Sequence, residues 1–237
     1  MKGMSHKDFM RLCVKPDQEG FEGNGLVLQQ QADRVPLPWK NGRGICFDIA
    51  AVGDPESDDW WELSTAALEQ DAPFSHFPGI NRQFCVAQGA VELTIDGCAH
   101  SCEEGSVTTF DGGSVTSCRL LGDKGPRMAL NLMQRGSSAT GQNHSLALYH
   151  QGFFLSPTSS SLTVEAIVAV GGPAVIIVAT QEKQKQAQQK QQDQQHQQRF
   201  DLDLLDALLL INNEHEHVFE SLQVVSGSVA VLSKPNK

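Results

Sequence analysis

No stretch of this sequence approaches the roughly 18 consecutive apolar residues of a membrane-crossing helix, and the N-terminal residues Met1 to Pro16 lack the apolar core of a secretion signal. The expected location is therefore the cytoplasm, with no membrane partner. No basic stripe is present. Against 18 Lys and Arg stand 28 Asp and Glu, for a formal net charge of −10, so a phosphate backbone is repelled on average and a nucleic-acid partner is not expected. None of the six cysteines, Cys13, Cys46, Cys85, Cys98, Cys102 and Cys118, forms a Cys-x-x-Cys pair. Several sit in strand-like apolar runs, where a reduced cysteine acts as a small hydrophobe, which suits a reducing compartment. There is no Gly-x-Ser-x-Gly elbow and no phosphate-binding glycine loop. Gly42-Arg43-Gly44 is too short for a dinucleotide fingerprint and precedes a strand rather than a helix.

A long helical period is also missing, and from residue 26 onward the period is two. Ile45, Phe47 and Ile49 share one face of a strand, opposite Cys46, Asp48 and Ala50; Val91, Leu93 and Ile95 alternate with Glu92, Thr94 and Asp96. Asp96-Gly97 reads as a hairpin turn, because both residues tolerate positive φ. Gln88-Gly89, Glu103-Glu104-Gly105 and Asp111-Gly112-Gly113 break the chain again, and strands are expected over Ser114–Leu121 and Arg127–Met133. After a small polar stretch at Gly136–Asn143 the pattern restarts at Ser145–Gln151, Leu162–Val170 and Ala174–Thr180. It ends with a pair of strands, Val218–Val225 and Ser228–Ser233, around Ser226-Gly227. Short strands between glycine turns predict an all-β protein of barrel or sandwich type.

A chain of 237 residues is long enough for two modules of about 100–120 residues each. The expected organisation is an N-terminal arm over 1–24, in which a short helix around Ser5–Leu12 is compatible with the sequence, a first half over 25–140 and a second over 141–237. Residues 181–198 contain 11 glutamines and no apolar residue except Ala187. Such a tract buries too little surface to offset its chain entropy, so it reads as a loop inserted between two strands. A role as a partner-binding surface is the alternative.

Two sets of residues could carry chemistry. His215-Glu216-His217 followed by Glu220 is a metal-like cluster, since two histidines and a carboxylate can hold a divalent transition metal. The competing reading is an exposed polar loop, and the two-residue gap between His217 and Glu220 is short for a cupin metal motif. No cofactor is expected. The second set is polar residues on apolar strands. Asn131 lies with Ala129 and Met133 on the face opposite Met128, Leu130 and Leu132; Arg82 shares a face with Phe84 and Val86; Trp60, Glu62 and Ser64 share a face. Each alone is most simply an ordinary strand residue.

Three segments resemble a known family. Pro38-Trp39-Lys40-Asn41-Gly42-Arg43-Gly44, Asp71 through Arg82 and Asn131-Leu132-Met133-Gln134-Arg135-Gly136 are similar to the hallmark blocks of the HutD/Ves proteins. Trp61-Glu62-Leu63-Ser64-Thr65-Ala66 matches a further, weaker block. The blocks occur in order over about residues 26–136. The resemblance implies a bicupin, two cupin-type β-barrels in one chain, that is not an enzyme and is tied to histidine utilisation or a stress response. It implies a small acidic metabolite of the urocanate or formylglutamate class as ligand; because Arg82 and Lys40 can hold a carboxylate and Asn41 and Asn131 offer amides, the expected binding residues are Trp39, Lys40, Asn41, Ser64, Arg82, Asn131 and Met133. A homodimer is compatible with it. Relative to the family pattern this chain carries Glu62 in place of an Arg, Asn81 and Ala129 in place of Asp, and Arg43 in place of a Gly. A metal-dependent cupin enzyme built on His215, His217 and Glu220, and a protein-interaction module built on the glutamine tract, are the competing functional readings.

Overall fold

Alternating side chains become strands throughout a computed structural model that describes residues 26–58, 60–122, 125–135, 143–156, 162–182, 195–210 and 217–235. The expected arm over 1–24, His215 and Glu216, and residues 183–194 of the glutamine tract lie outside the described residues. Among those described there is no α-helix, only a 3-10 turn at Gln31–Asp33. Seventeen strands follow in chain order: β1 (Leu26–Gln29), β2 (Leu37–Pro38), β3 (Ile45–Val52), β4 (Trp61–Ala67), β5 (Ala72–Pro73), β6 (Asn81–Gln88), β7 (Ala90–Ile95), β8 (Cys98–Cys102), β9 (Val107–Asp111), β10 (Thr116–Leu121), β11 (Met128–Gln134), β12 (Ser145–His150), β13 (Phe154–Leu155), β14 (Leu162–Glu182), β15 (Gln195–Leu202), β16 (Ala207–Leu210) and β17 (His217–Pro235). The chain divides into two units, one built on Ala32–Leu146 and one on Ala147–Lys237 together with Asp17–Gln31.

The first unit has a six-stranded sheet, ordered β2-β3-β4-β11-β6-β9, and a four-stranded sheet, ordered β5-β10-β7-β8. Turn chemistry sets where the chain reverses. Asp96 and Gly97 adopt φ of 48° and 85°, which makes the tight β7–β8 hairpin. Gly89, at φ 82°, sits where β6 of one sheet hands over to β7 of the other. Phe84, Val86 and Ala129 from the larger sheet join Val91, Leu93, Cys102 and Cys118 from the smaller one in a shared apolar core.

The second unit is a seven-stranded sheet ordered β1-β16-β14-β17-β12, with β13 added to β17 and β15 to β14. Two long strands form its spine. β14 pairs with β16 through Ala166–Val168 and with β15 through Ala174–Gln181. Between those stretches its pairing with β17 jumps from Val170↔Ser228 to Val175↔Ser226, a bulge that bends both strands. The core of this unit gathers side chains from both halves of the bend, among them Ile167, Ile176, Val224 and Val231.

Three expectations change. Ser226-Gly227 is not a hairpin turn between two strands but a bulge within the single strand β17. Gly227, at φ 73°, lies opposite Gly171–Ala174, and a Cβ there would come 2.4 Å from the Pro173 carbonyl oxygen. A glycine at positive φ serves a bulge as readily as a turn, so the sequence signal was the same. Leu162–Val170 and Ala174–Thr180 are likewise one strand. Finally β1, read as the start of the first half, pairs with β16 through Leu26↔Leu210 to Gln29↔Ala207 and belongs to the second unit, where Leu26 is buried in the core. The glutamine tract does sit between two strands, but they reach into it: Gln181↔Gln195, Thr180↔His196 and Ala179↔Gln197 are paired residues.

Candidate functional site

One face of the six-stranded sheet is not wholly apolar. Registers across β4, β11 and β6 place Glu62, Met133 and Arg82 in one row, Ser64, Asn131 and Phe84 in the next, and Ala66, Ala129 and Val86 in the third. All nine residues are two apart along their strands, so all project from the same face. The third row is core. The first two line a cavity of about 460 Å³. That volume lies in the range of small-molecule pockets. Strand β3 brings Cys46 alongside Ala66 and Asp48 alongside Ser64.

The loop before β3 forms one wall. Gly42, at φ 67°, returns a hydrogen bond from its N–H to the Trp39 carbonyl at 2.8 Å, and the Trp39 N–H donates to the Gly44 carbonyl at 2.9 Å. A Cβ at Gly44 would lie 2.7 Å from the Trp39 ring, so only glycine lets the indole fold over its own loop. Trp39 then meets Phe74 edge-on at 6.2 Å between centroids, and both line the cavity. Lys40 stands with its Nζ 5.2 Å from the Phe77 ring centroid. On another side, the Arg135 Nε–H donates to the Pro55 carbonyl at 2.8 Å and its Nη2 lies 3.7 Å from Glu56 Oε2; Pro55, Glu56 and Arg135 all border the cavity.

Arg82 is the principal charge of the floor. Its side chain is 8% exposed, its Nη2–H donates to Asn131 Oδ1 at 3.1 Å, and its guanidinium carbon lies 4.9 and 5.1 Å from the Phe74 and Phe110 ring centroids. Its buried Nε has no hydrogen-bond partner among the described residues. A buried guanidinium with an idle donor is costly unless something else satisfies it. Burial draws its pKa down to about 10, partly opposed by Glu62, and it stays cationic at neutral pH. Glu62 shows the reverse. Burial and the neighbouring Asp48 raise its carboxyl to about 7, with Arg82 pulling the other way. The two are coupled through space, yet among the described residues no Arg82–Glu62 ion pair lies within 4 Å. Burial also raises Asp48. Burial, Asp48 and Glu62 together push the Cys46 thiol to about 11, so the cysteine bordering the cavity stays protonated and is a poor nucleophile at neutral pH.

Of the residues singled out from sequence, Trp39, Lys40, Ser64, Arg82, Asn131 and Met133 border this one cavity. Asn41 does not. Its Nδ2–H donates to the Pro73 carbonyl at 2.9 Å and its Oδ1 accepts from the Arg43 N–H at 3.0 Å, so its amide ties the Trp39 loop in place. Phe74, Phe77 and Arg135 border the cavity as well and carried no separate signal, because aromatic residues in a Pro-rich loop and an arginine after a strand are commonplace. For the alternative metal site, His215 lies outside the described residues and Glu220 falls within β17. Among the described residues no group of three or more His, Cys, Asp or Glu converges.

The family model of HutD matches residues 31–219, most of the chain. The chain belongs to the HutD family. Over 100 residues it is 35% identical to an uncharacterized 21.2 kDa protein in the hutC 3′ region of Pseudomonas putida, covering 41% of this chain and 53% of that protein. Over another 100-residue match it is 30% identical to Protein Ves of Citrobacter koseri, covering 41% and 51%. The matched region thus spans about half the length of either relative. Among solved structures, a conserved protein of unknown function from Pseudomonas aeruginosa PAO1 covers 90% of this chain and 99% of its own at a TM-score of 0.59 and 20% identity. HutD from Pseudomonas fluorescens SBW25 covers 89% and 98% at a TM-score of 0.54 and 20% identity. At that identity the likeness concerns the fold, and it bears out an all-β architecture like that of the HutD proteins.

Proposed function

We propose that this chain is a binding protein, not an enzyme, that holds a small carboxylate in the cavity of its first unit and serves histidine or amino-acid utilisation or a stress response. The observation that carries the reading is Arg82: a guanidinium 8% exposed, bordering the cavity, with its Nε unpartnered. A planar guanidinium can accept a carboxylate through two parallel hydrogen bonds, and a ligand would supply the partner the protein withholds. Lys40 adds a second cation at the wall, and Asn131 both orients Arg82 and offers an amide. Trp39, Phe74 and Met133 supply apolar walls. A protonated Cys46 gives no support to nucleophilic chemistry. The link to histidine utilisation rests on the family and on the relative from the hutC region.

Calorimetry with urocanate, formylglutamate and glutamate tests the proposal. At least one acid should bind below millimolar, and Arg82→Ala should weaken it tenfold or more while the melting temperature changes little. Arg82→Lys, which keeps charge but loses the fork, should fall between. Binding by none of the three, or loss of the fold in both variants, would remove the carboxylate assignment.

A further inference from the structure

Resting on that reading, we infer that the ligand is a zwitterion: Arg82 takes its carboxylate, and Glu62 takes a cationic nitrogen at its other end. The two side chains flank Met133 in a single row, on β4 and β6, the two neighbours of β11. Two strand spacings, about 9–10 Å, separate their backbones. Both residues border the same cavity of about 460 Å³, so one small ligand can meet both. Glu62 borders the cavity, and among the described residues no side chain donates a hydrogen bond to it and no cation lies within 4 Å of it. A partly buried carboxylate without a donor calls for one from outside.

The surroundings of Glu62 decide against a second anion. Asp48 and Cys46 face the region from β3 and Arg82 from β6; β11 contributes Met133, which does not ionise. Lys40, Glu56 and Arg135 stand farther out along the cavity walls. A dicarboxylate reaching from Arg82 to Glu62 would set its far end against Glu62 and Asp48, a like-charge contact. An ammonium there meets both as counter-ions. The two ligand types therefore respond oppositely to pH. Glu62 loses its proton near pH 7, so a zwitterion binds more tightly as pH rises from 6 to 8, while a diacid binds more weakly over the same interval.

The experiment compares pairs that differ only in the nitrogen, glutamate against glutarate and 4-aminobutyrate against butyrate, by calorimetry at pH 6 and pH 8. In wild-type protein at pH 8, the nitrogen-bearing member of at least one pair should bind tenfold or more tighter than its partner, with the advantage smaller at pH 6. Glu62→Gln should reduce that advantage to threefold or less while leaving the nitrogen-free acid unchanged or tighter. As an independent readout, the Glu62 carboxyl carbon resonance should titrate at lower pH when the nitrogen-bearing acid is bound. Equal binding within both pairs, an advantage that survives Glu62→Gln, or an unmoved Glu62 titration overturns the zwitterion and leaves the carboxylate site standing. If no acid of either pair, nor any of the three tested above, binds below millimolar, both readings fall.

Discussion

Glu62→Gln should stabilise the ligand-free protein, and by an amount that depends on pH in a fixed direction. The folded protein raises the Glu62 carboxyl from 4.5 to about 7. At about 1.4 kcal/mol per pH unit, that displacement corresponds to an upper bound of about 3 kcal/mol. The sign follows from linkage. A raised acid binds its proton more tightly folded than unfolded, so its favourable contribution is complete below about pH 4.5 and is lost as pH climbs through about 7. At pH 8 the native state therefore holds a carboxylate at a site that disfavours it, because burial and Asp48 both oppose the charge and Arg82 offsets only part. Glutamine has nearly the same shape and no charge to lose. The variant should match wild type near pH 4.5 and exceed it by on the order of 1–3 kcal/mol at pH 8. For a protein of this size that is roughly 2–12 °C in melting temperature.

The assay is a set of thermal melts of both proteins at half-unit steps from pH 4.5 to 8.5, read as the difference between them. That difference should begin to grow above about pH 4.5, climb by up to about 1.4 kcal/mol per pH unit, and level off near pH 7. A flat difference across the whole range would show that Glu62 keeps an ordinary carboxyl in the folded protein. The electrostatic description of the cavity floor would then be wrong. Asp48→Asn provides the control: removing the neighbouring charge should lower the pH at which that growth levels off and so shrink the plateau.

Other consequences follow from the backbone and from the second unit. Gly227→Ala should lower the melting temperature by on the order of 10 °C, because a Cβ there meets the Pro173 oxygen at 2.4 Å and the Ala174 Cα at 2.9 Å, at a φ of 73° that disfavours alanine; an unchanged melt would refute the bulge geometry. Replacing residues 183–194 by a short Asn-Gly turn should shift the melt by less than 10 °C, since closure entropy changes by only about 0.6 kcal/mol per twofold change in loop length. Removing all of 181–198 should cost more, because Gln195 to Gln198 form the paired start of β15. Elemental analysis of purified protein should find no stoichiometric transition metal; about one Zn, Fe, Mn or Ni per chain, lost in a His215→Ala/His217→Ala variant, would revive the metal-enzyme reading.

The period-two alternation disclosed the all-β class because side-chain parity is local information: in β7, Val91 and Leu93 are buried while Glu92 between them is not. It also disclosed the site in pieces. Glu62 and Ser64, Arg82 and Phe84, Asn131 and Met133 could each be assigned a face from their own strand, but nothing local says that β4, β11 and β6 are adjacent or that their registers align in rows. Pairing order is a long-range property, and it turns three ordinary strand faces into one cavity floor. The same limit explains β1. Its four residues look like any short strand at the head of the first unit, and only its partner β16 assigns it to the second. Asn41 fails in the opposite way. Its neighbours Trp39 and Lys40 do border the cavity, but an Asn before Gly42 is also the ordinary chemistry of a turn, and here both ends of its amide are spent on that turn.

Glu62 and Arg82 show what the pairing adds. A direct Arg82–Glu62 ion pair would close the floor and leave no site. The registers instead put Met133 between them, and the two side chains form no ion pair within 4 Å. A salt bridge would have satisfied both groups. Separation leaves the Arg82 Nε without an acceptor and Glu62 without a donor among the described residues, on the same face of a cavity walled by Trp39 and Phe74. Two unmet charges of opposite sign at a fixed spacing specify a ligand more narrowly than either could alone, because a molecule that satisfies one and not the other leaves a buried group uncompensated. Met133 lies between the two, so Met133→Ala, which leaves both charges in place, should loosen the preference between amino acids of different length without abolishing their binding; binding of all lengths lost together would show that the apolar contact, not the charges, holds the ligand.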